Sequence, residues 1–303
     1  MSWRLSRTGQ GHVAMLVFSA LVAGSFSLGS MASPEVDPRA FMAARFLCAA
    51  VLLALAVRVT MGAGALRFPS PWRYGVLGGL YAAYFVGMFW ALRYAPPVSN
   101  AAVFTLTPVL AGIAGWILLR QVTTARMALA LAIGASGALW VIFRADLGAF
   151  LAFDVGRGEV IMFFACVAHA VYIPVVRMVN RGEAVLPFTT GILAAAFVVL
   201  MPLAAGPVLD TDWTALPRIV WITLAYITVF ATMGSSYLLA YASLRLPAAK
   251  VMAYTYLTPA WVICWEMALG RAAPPVLILG GVVLTLVALF LLLKDEVGQT
   301  QSV

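Results

Sequence analysis

Few ionisable side chains fall inside the long apolar stretches of this sequence, and those few are its candidates for chemistry. His169 lies in the middle of one such stretch, in CVAHAVY, where its imidazole can hydrogen-bond a solute or change charge with pH. A neutral histidine bonded to a neighbouring carbonyl is the alternative. Arg45 and Glu266 lie in two other stretches, and we expect them to pair as a gate or staple, unless each side chain instead extends towards water.

Composition identifies the elements that must carry these residues. Of 303 residues, 64% are hydrophobic and 10% are charged, and the mean hydropathy is +1.00. Since roughly 20 apolar residues cross a bilayer as a helix, we predict an all-α integral membrane protein with ten transmembrane helices. The predicted spans are 12–31, 38–58, 73–93, 97–119, 124–143, 159–180, 185–206, 216–242, 247–269 and 273–293.

Loop charges predict the orientation of these spans. With the N-terminus inside, the inner segments hold twelve lysines and arginines, and the outer loops hold six together with most of the acids. Short cytoplasmic loops collect Lys and Arg, so both termini are predicted to be cytoplasmic. The first span has an alternative interpretation as a secretory signal, because Arg4 and Arg7 precede an apolar stretch that ends at SMAS.

The residue types argue against several classes of function. Cys48, Cys166 and Cys264 all fall in predicted spans and have no neighbours at metal-ligand spacing. No phosphate-binding loop and no clustered basic stripe occur, so we expect no metal, no cofactor and no nucleic-acid partner. An intramembrane enzyme would need a nucleophile, an acid–base pair or a metal cluster at one depth, and only the single His169 is found there. The expected partners are the bilayer and a small-molecule solute.

A short motif divides the chain into two halves. Leu106-Thr107-Pro108 recurs 151 residues later as Leu257-Thr258-Pro259, in the fourth and the ninth predicted spans. Five spans per half is an odd number, so the second copy must run in the opposite direction through the membrane. We therefore predict two inverted five-helix repeats, 1–150 and 151–303, an arrangement typical of secondary transporters.

The two prolines fall near the centres of their spans, where a freed carbonyl must find a partner in protein or water. We interpret Thr107, Pro108, Thr258 and Pro259 as broken-helix positions that form a solute site or hinge. Packing kinks, with the threonines bonding their own preceding turn, are the alternative.

Aromatic residues at helical spacing predict the lining of a chamber between the halves. They are Tyr81, Tyr84 and Phe85 on the third span, Tyr226, Phe230 and Tyr237 on the eighth, and Tyr254 on the ninth. A phenol at this depth needs a hydrogen-bond partner or water. Ordinary helix packing explains the same spacing. The small-residue motif Gly75-xxx-Gly79 predicts close packing within the bundle, or a homo-oligomer.

The second span reads ARFLCAAVLLAL, and ALRYAPPVSNAAVFTLTPVLAGIAGWILL in the first half is echoed in the second half by AYASLRLPAAKVMAYTYLTPAWVICWEMALG. With the repeated halves, these segments resemble the EamA branch of the drug/metabolite transporter superfamily. Within it the chain is similar to the YddG-type aromatic amino acid exporters. The resemblance implies a carrier in the bacterial inner membrane that exports amino acids or other metabolites. The sequence departs from the family pattern at Leu119-Arg120 and Gly270-Arg271, where the family often has Gly-Glu. Because no carboxylate is predicted at mid-depth, we expect facilitated movement; proton exchange through His169 is the alternative.

Overall fold

The computed structural model describes residues 6–120, 124–152, 154–243, 245–246, 251 and 253–294, and within these residues every regular element is helical. The predicted cytoplasmic chain termini lie outside the described residues. The α-helices are α1 Arg7–Ala32, α2 Pro38–Met61, α3 Pro71–Ala91, α4 Pro97–Phe104, α5 Thr107–Leu119, α6 Ala125–Ile142, α7 Leu147–Leu151, α8 Arg157–Val179, α9 Val185–Asp210, α10 Arg218–Thr228, α11 Ser235–Ser243, α12 Thr258–Ala268 and α13 Val276–Lys294.

Two of the predicted spans are interrupted helices. A π-helical segment, Val229–Gly234, joins α10 to α11, and a 3-10 turn, Tyr254–Leu257, precedes α12. Among the described residues, nine segments are long and apolar enough to cross a membrane. The predicted span 247–269 is not one of them, because its described part consists of the 3-10 turn and the short α12.

Helix starts follow the residue types that cap helices. Pro38, Pro71 and Pro97 each occupy a first helical position, where the missing N–H would have had no partner within the helix. The Asp37 side chain accepts a hydrogen bond from the backbone N–H of Arg39, and Thr124 does the same for Met127. These local signals explain why the predicted boundaries of the second, fourth and fifth spans lie close to the observed ones.

The helices of the two halves pack in a pattern that is unchanged when the halves are exchanged. Helix α2 packs on α9, α4 on α12, and α6 on α13, so the second, fourth and fifth spans each contact their own counterpart. The first span contacts the eighth, through α1 with α10 and α11, and the third contacts the sixth, through α3 with α8. A twofold relation converts one of these last two contacts into the other. The packing therefore supports the predicted inverted repeat.

Glycine permits the closest approaches between the halves, although not at the predicted motif. A Cβ atom on Gly78 would lie 2.5 Å from the backbone nitrogen of Ala196 in α9. Gly75 has open space around its Cα, and a Cβ on Gly79 would make only an ordinary contact with Val199. The close packing of α3 on α9 therefore depends on Gly78 rather than on the predicted motif. Gly137 has the same role in α6, since its Cβ would lie 2.6 Å from the carbonyl oxygen of Gly281.

We expect Gly78→Ala to destabilise the protein, because the added methyl group would meet backbone that can move only by separating α3 from α9. Overpacking of this kind costs about 1–3 kcal/mol, equivalent to roughly 3–10 °C in the melting temperature. Thermal unfolding of the purified protein in detergent measures the change. Gly75→Ala is the matched control on the same helix and should leave the melting temperature unchanged or slightly raised, because alanine favours the helix and meets no neighbour there. Equal melting temperatures for the two variants would contradict the close contact.

Candidate functional site

The first Leu-Thr-Pro motif marks a break in the fourth span. Helix α4 ends at Phe104 and α5 begins at Thr107, with Pro108 at its second position. The Thr105 hydroxyl donates to the Ala102 carbonyl at 2.6 Å, which satisfies one of the carbonyls at the end of α4. The Thr107 side chain lies beside the thiol of Cys166 in α8. The fourth span is thus interrupted at the motif, and the bond of Thr105 to its own preceding turn is the one that the packing-kink alternative predicts. Helix α8 packs against both α4 and α5.

The second motif breaks the ninth span in the same way. The 3-10 turn Tyr254–Leu257 leads into α12, which begins at Thr258 with Pro259 in its second position. Both Thr258 and Pro259 are buried. In each half, the motif places proline where a helix restarts, so its missing N–H leaves no gap in the hydrogen bonds of that helix.

Seven side chains from α2, α3, α4 and α8 form one connected group of rings, which we call the aromatic cluster. Tyr84 is central to it: its ring centroid lies 4.4 Å from that of His169 and 4.6 Å from that of Phe85. Tyr81 joins Phe85 at 4.6 Å and Tyr172 at 5.7 Å. The members of the aromatic cluster are Phe46, Tyr81, Tyr84, Phe85, Phe104, His169 and Tyr172.

The imidazole of His169 is held in the cluster by its faces. It stacks on Tyr84 with an interplanar angle of 28°, and its plane lies within 8° of that of Tyr172 at 6.0 Å. Its Nδ1 atom is buried and has no hydrogen-bond partner among the described residues. The alternative of a histidine that hydrogen-bonds a neighbouring carbonyl is therefore not observed for this nitrogen. A polar atom in such surroundings is available to a solute.

Arg45 lies against the aromatic cluster and is 1% exposed. Its guanidinium carbon lies 3.9 Å from the ring centroid of Phe85, a close cation–π contact. One terminal nitrogen donates to the Thr232 hydroxyl at 3.0 Å, and the other approaches the Met42 sulfur at 3.8 Å. Its Nε atom is buried and has no hydrogen-bond partner among the described residues.

The expected pairing of Arg45 with Glu266 is wrong. Glu266 forms its ion pair with Arg271, at 2.9 Å, and Arg45 bonds Thr232 instead. Arg271 follows α12 closely enough for its side chain to reach back to the last turn of that helix. This local pair relieves the charge of Glu266, whereas Arg45 has no carboxylate partner among the described residues.

Thr232 reaches Arg45 because the eighth span is not a regular α-helix. Thr232 lies in the π-helical segment, and its hydroxyl also donates to the Ile227 carbonyl at 2.7 Å. A π turn contains one residue more than an α turn, so side chains beyond it rotate relative to those before it. The hydroxyl thus accepts from Arg45 while it donates to a backbone carbonyl five residues earlier.

The predicted aromatic stripe of the eighth span continues from Tyr226 to Phe230, whose ring centroids lie 5.6 Å apart, but it does not extend beyond the π turn. Tyr226 is partly buried, donates to the Leu21 carbonyl at 2.9 Å and packs on Trp265. Phe230 is exposed, and Tyr237, beyond the π turn, is 69% exposed and lines an open groove of about 290 Å³ against α1. The single continuous stripe predicted for this span is therefore corrected by the structure.

Tyr254 lies apart from the aromatic cluster and makes a contact of its own. Its hydroxyl lies 2.7 Å from Nδ1 of His12, near the start of α1. At the start of α8, the Ser99 hydroxyl of α4 donates to Glu159 at 2.7 Å. Each contact joins the first span of one half to the segment that precedes the proline break in the other half. We call them the two end contacts.

The structure thus brings together five of the predicted site residues, namely Arg45, Tyr81, Tyr84, Phe85 and His169. Sequence reasoning missed four others, Phe46, Phe104, Tyr172 and Thr232. Tyr172 carries a usable signal, since it is one helical turn after His169 and shares its face. Thr232 carries none, because its position depends on the π turn.

These features, a twofold-related helical bundle with broken helices and an aromatic and basic site between them, are those of a secondary transporter. Comparison with known proteins is consistent with this class. The model of the EamA-like transporter family matches the chain twice, at residues 9–143 and 156–294, and the chain belongs to that family.

The individual relatives are distant. An uncharacterized transporter of Bacillus subtilis (strain 168), YyaM, is 25% identical over 228 residues, which cover 73% of each chain. A solved crystal structure has the same fold, with a TM-score of 0.67 at 20% identity over 95% of this chain and 96% of the other. The solved structure shows the fold alone, and the assignment to a family of transporters rests on the two matches to the EamA-like model.

We expect Thr232→Val to destabilise the protein, because the isosteric change removes the oxygen that accepts from Arg45. Losing a hydrogen bond to a buried charged group costs about 1.5–3 kcal/mol, which a melting curve of the purified protein detects. Thr228→Val is the matched control, since Thr228 is buried just before the π turn and its hydroxyl has no partner among the described residues. If both variants melt like the unaltered protein, the contact does not stabilise this fold.

Proposed function

We propose that this protein is an alternating-access carrier that exports small amphipathic metabolites across a bacterial inner membrane, with both termini cytoplasmic. Amino acids, including aromatic ones, are the best candidates for its solute. Membership of the EamA-like transporter family supports transport. The YddG-type resemblance and the aromatic cluster support the solute class.

The two end contacts are the observation that carries this proposal. His12 lies in the first helix of the first half and Glu159 in the first helix of the second half, each near the start of a family match. Their partners, Tyr254 and Ser99, lie in equivalent broken spans. The halves run in opposite directions, so equivalent contacts fall at opposite ends of the bundle. A carrier whose two sides open in turn needs such a pair of separable contacts.

Facilitated movement is the form of transport that the site favours. Every described carboxylate lies in a loop or in the first or last turn of a helix. His169 is therefore the titratable group in the aromatic cluster that suits proton coupling. Its unpartnered Nδ1 favours the second candidate, a carrier of another metabolite or drug class driven by proton exchange.

Uptake into liposomes tests the proposal and separates these two candidates. The purified protein would be reconstituted and supplied with radiolabelled phenylalanine, threonine or a nucleoside, with and without a pH gradient. We expect saturable amino acid uptake that the gradient leaves unchanged. Accumulation driven by the gradient would favour proton exchange. Folded protein that moves none of the three solutes would contradict the proposed solute class.

We expect Pro108→Ala and Pro259→Ala each to slow transport several-fold while leaving the fold intact. Alanine restores a backbone N–H and favours a continuous helix across the break, so the halves of the span should move less freely. Initial rates of uptake measure the effect. Pro202→Ala is the control, because Pro202 lies inside the continuous helix α9 and its side chain is exposed. Unchanged rates in both proline variants would exclude a hinge role.

We expect the loss of one end contact to favour opening of one end of the protein, and the loss of the other contact to favour opening of the opposite end. Tyr254→Phe removes the hydroxyl that meets His12, and Ser99→Ala removes the one that meets Glu159. Each loss should open its own end more often. The reporter is the buried thiol of Cys166, in a protein whose Cys48 and Cys264 are replaced by serine. A membrane-impermeant thiol reagent is added to one side of oriented vesicles, and the labelling of Cys166 is measured. The variants should raise labelling from opposite sides, and a rise from the same side for both would contradict alternating access through these contacts.

A further inference from the structure

Arg45 is a buried cation that the protein leaves incompletely bound. A guanidinium carries several N–H donors in a planar fork that matches a carboxylate. Here one donor meets the Thr232 hydroxyl and another meets a sulfur atom, which is a weak acceptor. The buried Nε has no hydrogen-bond partner among the described residues. Buried charges in proteins are normally paired, so this one is suited to receive an anion.

The surroundings of Arg45 define what else that anion must carry. The ring of Phe85 covers one face of the guanidinium, and Tyr81 and Tyr84 lie close enough to interact with its charge. Beyond them, the rings of His169 and Tyr172 extend the aromatic surface along α8. A flat apolar group next to the anion would stack on these rings.

We propose that Arg45 is the receptor for the carboxylate of the transported solute, and that the aromatic cluster holds the apolar body of that solute. This inference rests on the proposed carrier function and narrows its substrate class. A single guanidinium matches the single charge of a carboxylate, whereas a phosphate dianion would leave one charge unpaired. The cluster is therefore a site for aromatic or apolar monocarboxylates.

Among the described residues, the site offers no carboxylate to the amino group of an amino acid. A buried ammonium needs a carboxylate or several carbonyl acceptors. The described carboxylates lie in loops or at helix ends, and Glu266 is already paired with Arg271. The site thus binds the carboxylate of the solute and does not require an ammonium group. Aromatic acids without an amino group should bind at least as tightly as the corresponding amino acids.

Four small probes with the same aromatic body test this. They are 3-phenylpropanoate, 3-phenylpropan-1-ol, 2-phenylethylamine and phenyl phosphate, titrated by calorimetry into the purified full-length chain in detergent. We expect the carboxylate to bind about tenfold more tightly than the alcohol, and the amine and the phosphate to bind more weakly than the carboxylate. In the unaltered protein, equal affinity for the carboxylate and the alcohol would overturn the inference. Tighter binding of the phosphate or the amine than of the carboxylate would also overturn it.

Two variants then assign the preference to Arg45. Arg45→Lys keeps the charge but loses the planar fork, and Arg45→Gln loses both, so the preference for carboxylate over alcohol should fall in the first and vanish in the second. Arg39→Gln is the control, since Arg39 lies on the same helix, pairs with Asp37 and is outside the cluster. A carboxylate preference unchanged in folded Arg45→Lys and Arg45→Gln would overturn the assignment.

Counterflow of the same probes in liposomes separates this inference from the carrier proposal. Carboxylate-selective binding without any counterflow would contradict transport of these solutes and leave the receptor in place. Counterflow with the same selectivity in Arg45→Gln as in the unaltered protein would contradict the receptor and leave the carrier in place. Folded, unaltered protein that binds none of the four probes would overturn the receptor.

Discussion

The structure depends on one constraint, that polar groups in hydrocarbon must find partners within the protein. A continuous helix satisfies it automatically, and a broken helix does so only where neighbouring side chains and helices supply the missing bonds. The two Leu-Thr-Pro motifs meet this requirement by placing proline in the first turn of the restarting helix, where an N–H would have had no partner within that helix. The breaks can therefore lie deep in the bundle without an unpaired N–H at either proline.

The same constraint applies to the eighth span, where a side-chain hydroxyl, rather than a proline, provides for the irregular backbone. The π turn of Val229–Gly234 interrupts the regular α-helical pattern, and the Thr232 hydroxyl donates to the carbonyl of Ile227, which lies just before it. The oxygen of that hydroxyl then remains free to accept from Arg45. One threonine thus links the irregular backbone of the second half to the buried charge of the first.

Much of the architecture could be predicted from the sequence, because apolar length, helix-starting prolines and the repeated motif all act locally. The breaks at Pro108 and Pro259 and the grouping of Tyr81, Tyr84 and Phe85 depend on spacing along one chain segment, and the structure contains both. The pairing of Arg45 was not predictable, because it depends on a rotation introduced by the π turn. Glu266 is close enough in sequence to pair with Arg271. Arg271 lies in a loop, however, and a charge inside a span was expected to pair with a charge inside another span. The contact of Gly78 with α9 likewise required knowledge of how two helices meet.

The incomplete binding of Arg45 can be understood from what a carrier requires. A carboxylate of the protein beside the guanidinium would compete with the solute and would have to be displaced in every transport cycle. A ring face and a hydroxyl stabilise the charge more weakly than an ion pair does, so a solute carboxylate can bind in addition to them and leave again. The contact of Arg45 with Phe85 and Thr232 therefore holds the cation in place between cycles while keeping most of its donors available. Thr232 lies in the other half from Arg45, so this contact would change if the halves rock against each other, and the strength of the site would change with the conformation of the protein.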